Sequence, residues 1–168
     1  MHSAAEARAD LVVGSEAELD AVTRRLAAAL PVPAFIALHG DLGAGKTRFV
    51  KGLAAATGLD PDLVVSPTYG LIHVLPLPAG CPVKQIVHAD LHRLAGPDDL
   101  AEIGWDDATR GAAWVCVEWA DRVGPALPAD RLEVAIEILS EWTRKLSIRA
   151  MGPRHAAAAA ACAPGSGR

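Results

Sequence analysis

The chain has 168 residues, of which 51% are hydrophobic and 21% are charged, and its formal net charge is −4. This composition is typical of one globular domain with a sizeable core, and it disfavours tight direct binding to nucleic acid because no basic excess is present. There is no apolar run long enough for a membrane span or a secretory signal, and the three cysteines form no CxxC pair. We therefore expect a cytoplasmic protein that binds no membrane and is a monomer when alone.

Hydrophobic periodicity predicts helices and strands in alternation along the chain. The first helix is predicted over 15–30, because Ser15 and Glu18 have the spacing of a capping box and Pro31 ends the pattern. The other predicted elements are a strand at 34–40, a helix at 47–58, strands at 69–77 and 83–90, short helical segments at 97–110, a buried strand at 112–119, and alternating strands at 131–139 and 144–150.

This alternation predicts an α/β fold of three layers. The expected sheet is mixed and mostly parallel, is flanked by helices, and has the strands at 131–139 and 144–150 as an antiparallel pair at its edge. We expect a single domain over residues 10–151, with a flexible N-terminus at 1–9. The stretch 152–168, "GPRHAAAAAACAPGSGR", is low in complexity and is predicted to be disordered.

The segment "GDLGAGKT", residues 40–47, joins the first predicted apolar strand to a helix. Gly40, Gly45, Lys46 and Thr47 fit the pattern G-x-x-x-x-G-K-[ST] of a phosphate-binding loop, which we call the P-loop. Its glycines let the backbone approach a ligand, and its N–H groups lie at the positive end of the following helix. Lys46 would supply charge to the β- and γ-phosphates, and the Thr47 hydroxyl would coordinate Mg²⁺.

Such a site also needs an acidic group for the metal or for the attacking water. Asp90 and Glu118 each end a predicted strand, and open α/β sheets build their sites at strand carboxyl ends. ATP is a better candidate than GTP, because the chain contains no asparagine and so lacks the N-K-x-D pattern that reads guanine.

Four stretches together resemble the TsaE (YjeE) family of bacterial P-loop proteins in tRNA threonylcarbamoyladenosine formation: "GDLGAGKT" (40–47), "SPTY" (66–69), "HADLHRL" (88–94) and "VEWADR" (117–122). The resemblance covers roughly residues 12–150. One departure is His92, where the family usually has tyrosine.

The resemblance implies a role for each matching residue. Thr47 and Glu118 would hold Mg²⁺, Asp90 would act on it through water, Thr68 would contact the γ-phosphate, and Trp119 would lie on a second switch segment. The implied catalytic residues are Lys46, Thr68, Asp90 and Glu118, and the implied nucleotide-binding residues are Ser15, Asp41, Gly43, Ala44, Gly45, Lys46, Thr47 and Arg48. Ser15 is equally well explained as a helix N-cap, and Arg144 is better explained as a surface charge than as a nucleotide contact.

The implied activity is Mg²⁺-dependent ATP hydrolysis that supports threonylcarbamoyl transfer to adenosine 37 of tRNAs reading codons that start with A. The implied partners are transferase subunits of the TsaD and TsaB type, with tRNA contacted indirectly. Two alternatives remain open. One is a small P-loop kinase, although no arginine-rich lid is visible, and the other is a nucleotide-gated binding module with little turnover.

Overall fold

The fold is built on one seven-stranded sheet, seen in a computed structural model that describes residues 6–67, 71–111 and 113–165. The strands are β1 (Arg8–Val13), β2 (Ala34–His39), β3 (Ile72–Pro76), β4 (Gln85–Asp90), β5 (Ala113–Glu118), β6 (Leu132–Ile138) and β7 (Arg144–Ala150). Their order across the sheet is β1-β7-β6-β2-β5-β4-β3. β2 is parallel to β5 and β6, and β4 is parallel to β5, whereas the pairs β1–β7, β6–β7 and β3–β4 are antiparallel.

Helical segments cover the sheet on both faces and complete the three layers. The α-helices are α1 (Glu16–Ala29), α2 (Lys46–Ala56), α3 (Trp105–Thr109) and α4 (Ala156–Ala161), and short 3-10 turns lie at Pro61–Leu63, Pro97–Leu100, Ala120–Ala126 and Pro153–His155. One core lies between the sheet and the side that carries α1, α2 and α4. The second core lies between β2, β4 and β5 and the opposite side, which carries α3 and the turns at 97–100 and 120–126. None of the helices in the described residues is long and apolar enough to cross a membrane.

The local signals in the sequence explain where the elements on the P-loop side begin and end. The Ser15 hydroxyl caps α1 by accepting from the Glu18 N–H at 3.2 Å, and the Glu18 carboxylate accepts from the Gly14 N–H at 2.7 Å. β5 is buried along its whole length because it lies between β2 and β4 and is covered on both faces. The predicted helix 15–30 and the predicted buried strand 112–119 are therefore confirmed, each within two residues.

The α/β fold class is confirmed, but the sheet differs in two details. Its pairings are divided equally between parallel and antiparallel, so it is not mostly parallel. The antiparallel pair β6–β7 exists, but it does not form the edge, because β1 pairs with the outer side of β7. We had predicted no strand at β1, whose residues alternate between the core and the solvent.

Both predicted boundaries of the folded region were wrong. β1 starts at Arg8, inside the segment expected to be flexible. The segment 152–165, expected to be disordered, forms a 3-10 turn and α4, and it buries Ala158, Ala159 and Cys162 completely. The physical reason is that alanine side chains are small enough to let α4 pack closely against α1 and β1.

Candidate functional site

The P-loop leaves the end of β2 and enters α2 through backbone conformations that require glycine. Gly40 has φ +152°, and a Cβ placed on it would lie 2.7 Å from the Ile136 carbonyl oxygen, so no larger residue fits without a shift of β6. Gly45 has φ +112° and precedes α2 directly, while a Cβ there would meet no atom within 4 Å. The loop is thus tight against the sheet at Gly40 and open on the side where Gly45 exposes its backbone.

Two long cationic side chains hold the carbonyl groups of the P-loop. Lys46 Nζ donates to the Gly40 carbonyl oxygen at 2.5 Å and to that of Asp41 at 3.3 Å. Arg144, at the start of β7, donates through Nε to the Ala44 carbonyl oxygen at 3.0 Å and through Nη1 to that of Ser140 at 2.8 Å. Our expectation that Arg144 is only a surface charge was wrong, because its guanidinium joins the β6–β7 turn to the P-loop.

A hydroxyl and two carboxylates meet beside the P-loop. Thr47 Oγ1 donates to Glu118 Oε1 at 3.3 Å, which brings the first turn of α2 to the end of β5. Asp90 and Glu118 are register partners at the ends of β4 and β5, and both are buried. Asp90 Oδ1 accepts from the His92 N–H at 3.0 Å and contacts His92 Nδ1 at 2.7 Å. An ionised carboxylate can only accept, so Nδ1 is the donor in that contact.

These groups line an open cavity of about 400 Å³. Of the residues predicted to form the site, the cavity brings together seven: Gly43, Gly45, Lys46, Thr47, Arg48, Asp90 and Glu118. Ser66, His92 and Trp119 complete much of the lining. Trp119 has φ +60° and remains 42% exposed although it lines the cavity, and the Arg122 guanidinium lies 5.8 Å from its ring centroid.

Three predicted residues are not among those that line this cavity. Ser15 is the N-cap of α1 and is absent from the cavity lining, Asp41 lines a neighbouring cavity of about 340 Å³, and Ala44 is buried with its carbonyl bound to Arg144. Thr68 lies outside the described residues. The predicted roles of these residues in nucleotide binding stay predictions.

Two histidines near the carboxylates were missed as site residues. His92 bonds to Asp90 and lines the cavity, and the spacing of two residues in "DLH" was the available signal. His88 is completely buried, with Nε2 3.5 Å from Glu118 Oε1. Strand alternation could have shown that His88 and Asp90 project from the same face of β4, because they are two residues apart.

The oxygen donors beside the P-loop could hold the magnesium ion of a bound nucleotide. Among the described residues, there is no group of three or more His, Cys, Asp or Glu side chains that could hold a metal ion. The Thr47 hydroxyl and the Glu118 carboxylate are oxygen ligands, and Mg²⁺ typically uses one or two protein oxygens together with water and phosphate. The open space at Gly43 and Gly45 leaves room for phosphate oxygens beside the loop amides.

The fold and site together define the P-loop NTPase-like class of α/β proteins. The family model described as "Threonylcarbamoyl adenosine biosynthesis protein TsaE" matches residues 13–146, so the chain belongs to the TsaE family.

Named relatives and one solved structure agree with this assignment. The Bacillus subtilis (strain 168) tRNA threonylcarbamoyladenosine biosynthesis protein TsaE is 34% identical over 137 residues, which cover 78% of this chain and 79% of that protein. The protein of the same name from Aquifex aeolicus is 34% identical over 141 residues, covering 83% and 94%. The crystal structure of YdiB from Bacillus subtilis matches with a TM-score of 0.67 and 25% identity, covering 91% of this chain and 92% of that one.

Proposed function

We propose that this chain binds and hydrolyses ATP with Mg²⁺, and that it thereby supports threonylcarbamoyl transfer to adenosine 37 of tRNAs reading codons that start with A. The observation that carries the proposal is the contact of 3.3 Å between the P-loop hydroxyl of Thr47 and the strand-end carboxylate of Glu118. A glycine-rich loop alone would fit any phosphate. The hydroxyl and carboxylate together suit a phosphate that is accompanied by Mg²⁺.

Each residue of the site has a role that follows from its chemistry. The amides from Gly43 to Arg48 bind phosphate oxygens at the start of α2, and Lys46 neutralises charge on the β- and γ-phosphates. Thr47 and Glu118 hold the magnesium ion, which would stabilise charge on the phosphates during hydrolysis. Lys46 can move from the P-loop carbonyl groups to the phosphates, because its side chain is flexible and, within the described residues, is held by hydrogen bonds to the Gly40 and Asp41 carbonyl groups.

The pair Asp90–His92 is suited to orient the attacking water. In a neutral His92 whose Nδ1 donates to Asp90, Nε2 is the acceptor nitrogen of the ring. His92 and Asp90 both line the cavity next to Glu118. The histidine therefore replaces the tyrosine usual in the family with a side chain that can accept a proton from water.

The names of the relatives support the proposed cellular role. They are named as tRNA threonylcarbamoyladenosine biosynthesis proteins, and we infer that this chain cycles a transferase complex of TsaD and TsaB type. Contact with tRNA would be indirect, because the chain carries a net charge of −4 and has no basic excess. The exposed Trp119 in the cavity lining is a suitable contact for such a partner.

The test is Mg²⁺-dependent ATP hydrolysis by the chain alone and with the transferase subunits added. The Lys46→Ala and Glu118→Ala variants should each lower the stimulated rate by about 100-fold or more, because Lys46 neutralises charge on the transferring phosphoryl group and Glu118 holds the magnesium ion. The matched controls are Lys51→Ala, on the same helix as Lys46, and Glu137→Ala, on the exposed face of β6. Both controls should keep the wild-type rate.

The results separate the alternatives. Retained turnover in Lys46→Ala or Glu118→Ala would refute the site assignment. Tight ATP binding without turnover, even with the partners, would indicate a nucleotide-gated module. Transfer of labelled phosphate from ATP to a nucleoside or another small acceptor would indicate a kinase.

A further inference from the structure

His88 is a buried polar side chain whose hydrogen-bonding capacity is not used within the described residues. It lies in the middle of β4 with an exposure of 0%, and neither Nδ1 nor Nε2 has a hydrogen-bond partner among those residues. Leaving such a group unpaired in a protein interior is costly, so its position calls for a compensating interaction. An imidazole carries at least one N–H in its neutral and its charged form and can therefore act as a donor.

His88 approaches a charged side chain, Glu118, on the neighbouring strand β5. In the parallel pair β4–β5, His88 is the register partner of Cys116, and Asp90 is the register partner of Glu118. The distance from His88 Nε2 to Glu118 Oε1 is 3.5 Å, just beyond a good hydrogen bond. The same Oε1 accepts from Thr47 at 3.3 Å, so the carboxylate oxygen is loosely contacted from two sides.

Cys116 does not compete for this interaction. Cys116 is completely buried on β5 and is the register partner of His88. A thiol is a weak donor and a weak acceptor, and it cannot satisfy an imidazole as a carboxylate can. The Glu118 carboxylate is therefore the acceptor for an N–H group of His88.

We propose that His88 is a positioning residue for Glu118, donating its Nε2–H to the carboxylate and so orienting it toward the magnesium ion of a bound nucleotide. The inference rests on the proposed function, because it assigns Glu118 to the metal. His88 touches neither the nucleotide nor the metal in this arrangement. A small rotation of the carboxylate closes the 3.5 Å gap. The bond then limits the orientations that Glu118 can adopt, as hydrogen-bond partners of metal ligands generally do.

The test compares His88→Leu with His88→Gln. Leucine fills a similar volume without any donor, whereas the Gln side-chain amide can place an N–H close to the position of Nε2. His73→Leu is the matched control, because His73 is the register partner of His88 on β3 and is only half-buried. For each variant, two quantities are measured: the thermal midpoint without ligand, and the affinity for a fluorescent ADP analogue across a Mg²⁺ titration.

We expect His88→Leu to keep or raise the thermal midpoint, because it removes an unpaired buried polar group. Its nucleotide affinity without Mg²⁺ should equal that of the wild type, and its half-saturating Mg²⁺ concentration should rise by about 10-fold. His88→Gln should stay within about threefold of the wild-type Mg²⁺ response, since a correctly placed donor restores most of the effect. His73→Leu should match the wild type in both measurements.

If His88→Leu folds and its half-saturating Mg²⁺ concentration equals that of the wild type, the inference about His88 is wrong. Nucleotide binding by the wild-type protein in the same experiment would leave the proposed function in place. Wild-type protein that binds no nucleotide would overturn both. If His88→Leu does not fold, the wild-type protein decides by NMR of its ¹⁵N-labelled histidines. In that case Mg²⁺ added to the ADP complex should shift the His88 Nε2 resonance, and an unmoved resonance would refute the proposed contact.

Discussion

Replacing His155 with alanine tests whether the C-terminal segment is part of the fold. His155 is almost completely buried, and its two ring nitrogens have different partners. Nε2 accepts from the Phe35 N–H at 3.2 Å, and Nδ1 contacts Asp130 Oδ1 at 2.7 Å. The imidazole thus joins the segment after residue 152 to the start of β2 and to the loop before β6.

The expected loss follows from these two contacts. Removing the imidazole leaves the buried Phe35 N–H without a partner, which costs about 1–3 kcal/mol. Loss of the bond to Asp130 adds about 1 kcal/mol. We therefore expect His155→Ala to lower the free energy of unfolding by about 2–4 kcal/mol, which for a chain of this size corresponds to a fall in Tm of roughly 5–15 °C.

Thermal and urea unfolding measure this loss, and nucleotide affinity serves as an internal control. Phe35 is separated from Gly40 by the length of β2, about 16 Å, so the affinity should not change. Arg154→Ala is the matched control on the exposed side, where its guanidinium donates to the Pro33 carbonyl oxygen, and it should cost less than about 1 kcal/mol. A His155→Ala variant as stable as wild type, together with an equally stable chain ending at Met151, would refute the packing of α4.

Two further predictions concern Arg144 and Asp130. Arg144→Ala should weaken nucleotide binding by about 5–10-fold, because the P-loop loses the bond from the guanidinium to the Ala44 carbonyl oxygen. Arg144→Lys should weaken binding equally, because lysine lacks the planar guanidinium that bonds to Ala44 and Ser140 together. Full rescue by lysine would refute this reasoning, because it would show that the positive charge alone matters. Burial alone would raise the pKa of Asp130, but hydrogen bonds from the His155 imidazole and the Arg154 N–H hold that pKa below its ordinary value. Asp130 therefore stabilises the fold above about pH 4, and this contribution is lost as the pH falls through the folded-state pKa of its carboxyl group. Between pH 5 and pH 3, the free energy of unfolding of Asp130→Asn should fall less than that of the wild type. Urea unfolding that gives parallel curves of stability against pH for the two proteins would contradict this.

The features that could be predicted from the sequence depend on residues close together along the chain. The P-loop is one continuous stretch of eight residues between an apolar strand and a helix, so its pattern contains both its chemistry and its structural context. The placement of Asp90 beside Glu118 needed one further rule, that parallel strands end at the same edge of a sheet. Both steps use short-range patterns and a general property of the fold class.

The C-terminal segment could not be predicted because its stability comes from distant partners. The contact from Phe35 to His155 spans 120 residues and that from His155 to Asp130 spans 25. Composition indicated disorder, since a run of alanines has no apolar periodicity of its own. Alanine nevertheless packs well where a helix lies close to another, and α4 lies against α1 and β1. β1 could not be predicted for the same reason, because its pairing partner β7 lies more than 130 residues away. Without β1, the strand β7 was wrongly expected to form the edge of the sheet.

The roles of Arg144 and His88 depend on contacts that form only after the sheet has assembled. Arg144 reaches a carbonyl group 100 residues earlier in the chain, and this contact exists because β7 pairs with β6, whose Ile136 carbonyl lies against Gly40. His88 approaches Glu118 because β4 and β5 are adjacent and in register. The P-loop supplies the phosphate-binding chemistry locally, whereas the orientation of its carbonyl groups and of the Glu118 carboxylate is set by the surrounding strands. Substitutions at Arg144 and His88 should therefore change how well the site binds without changing which ligand it binds.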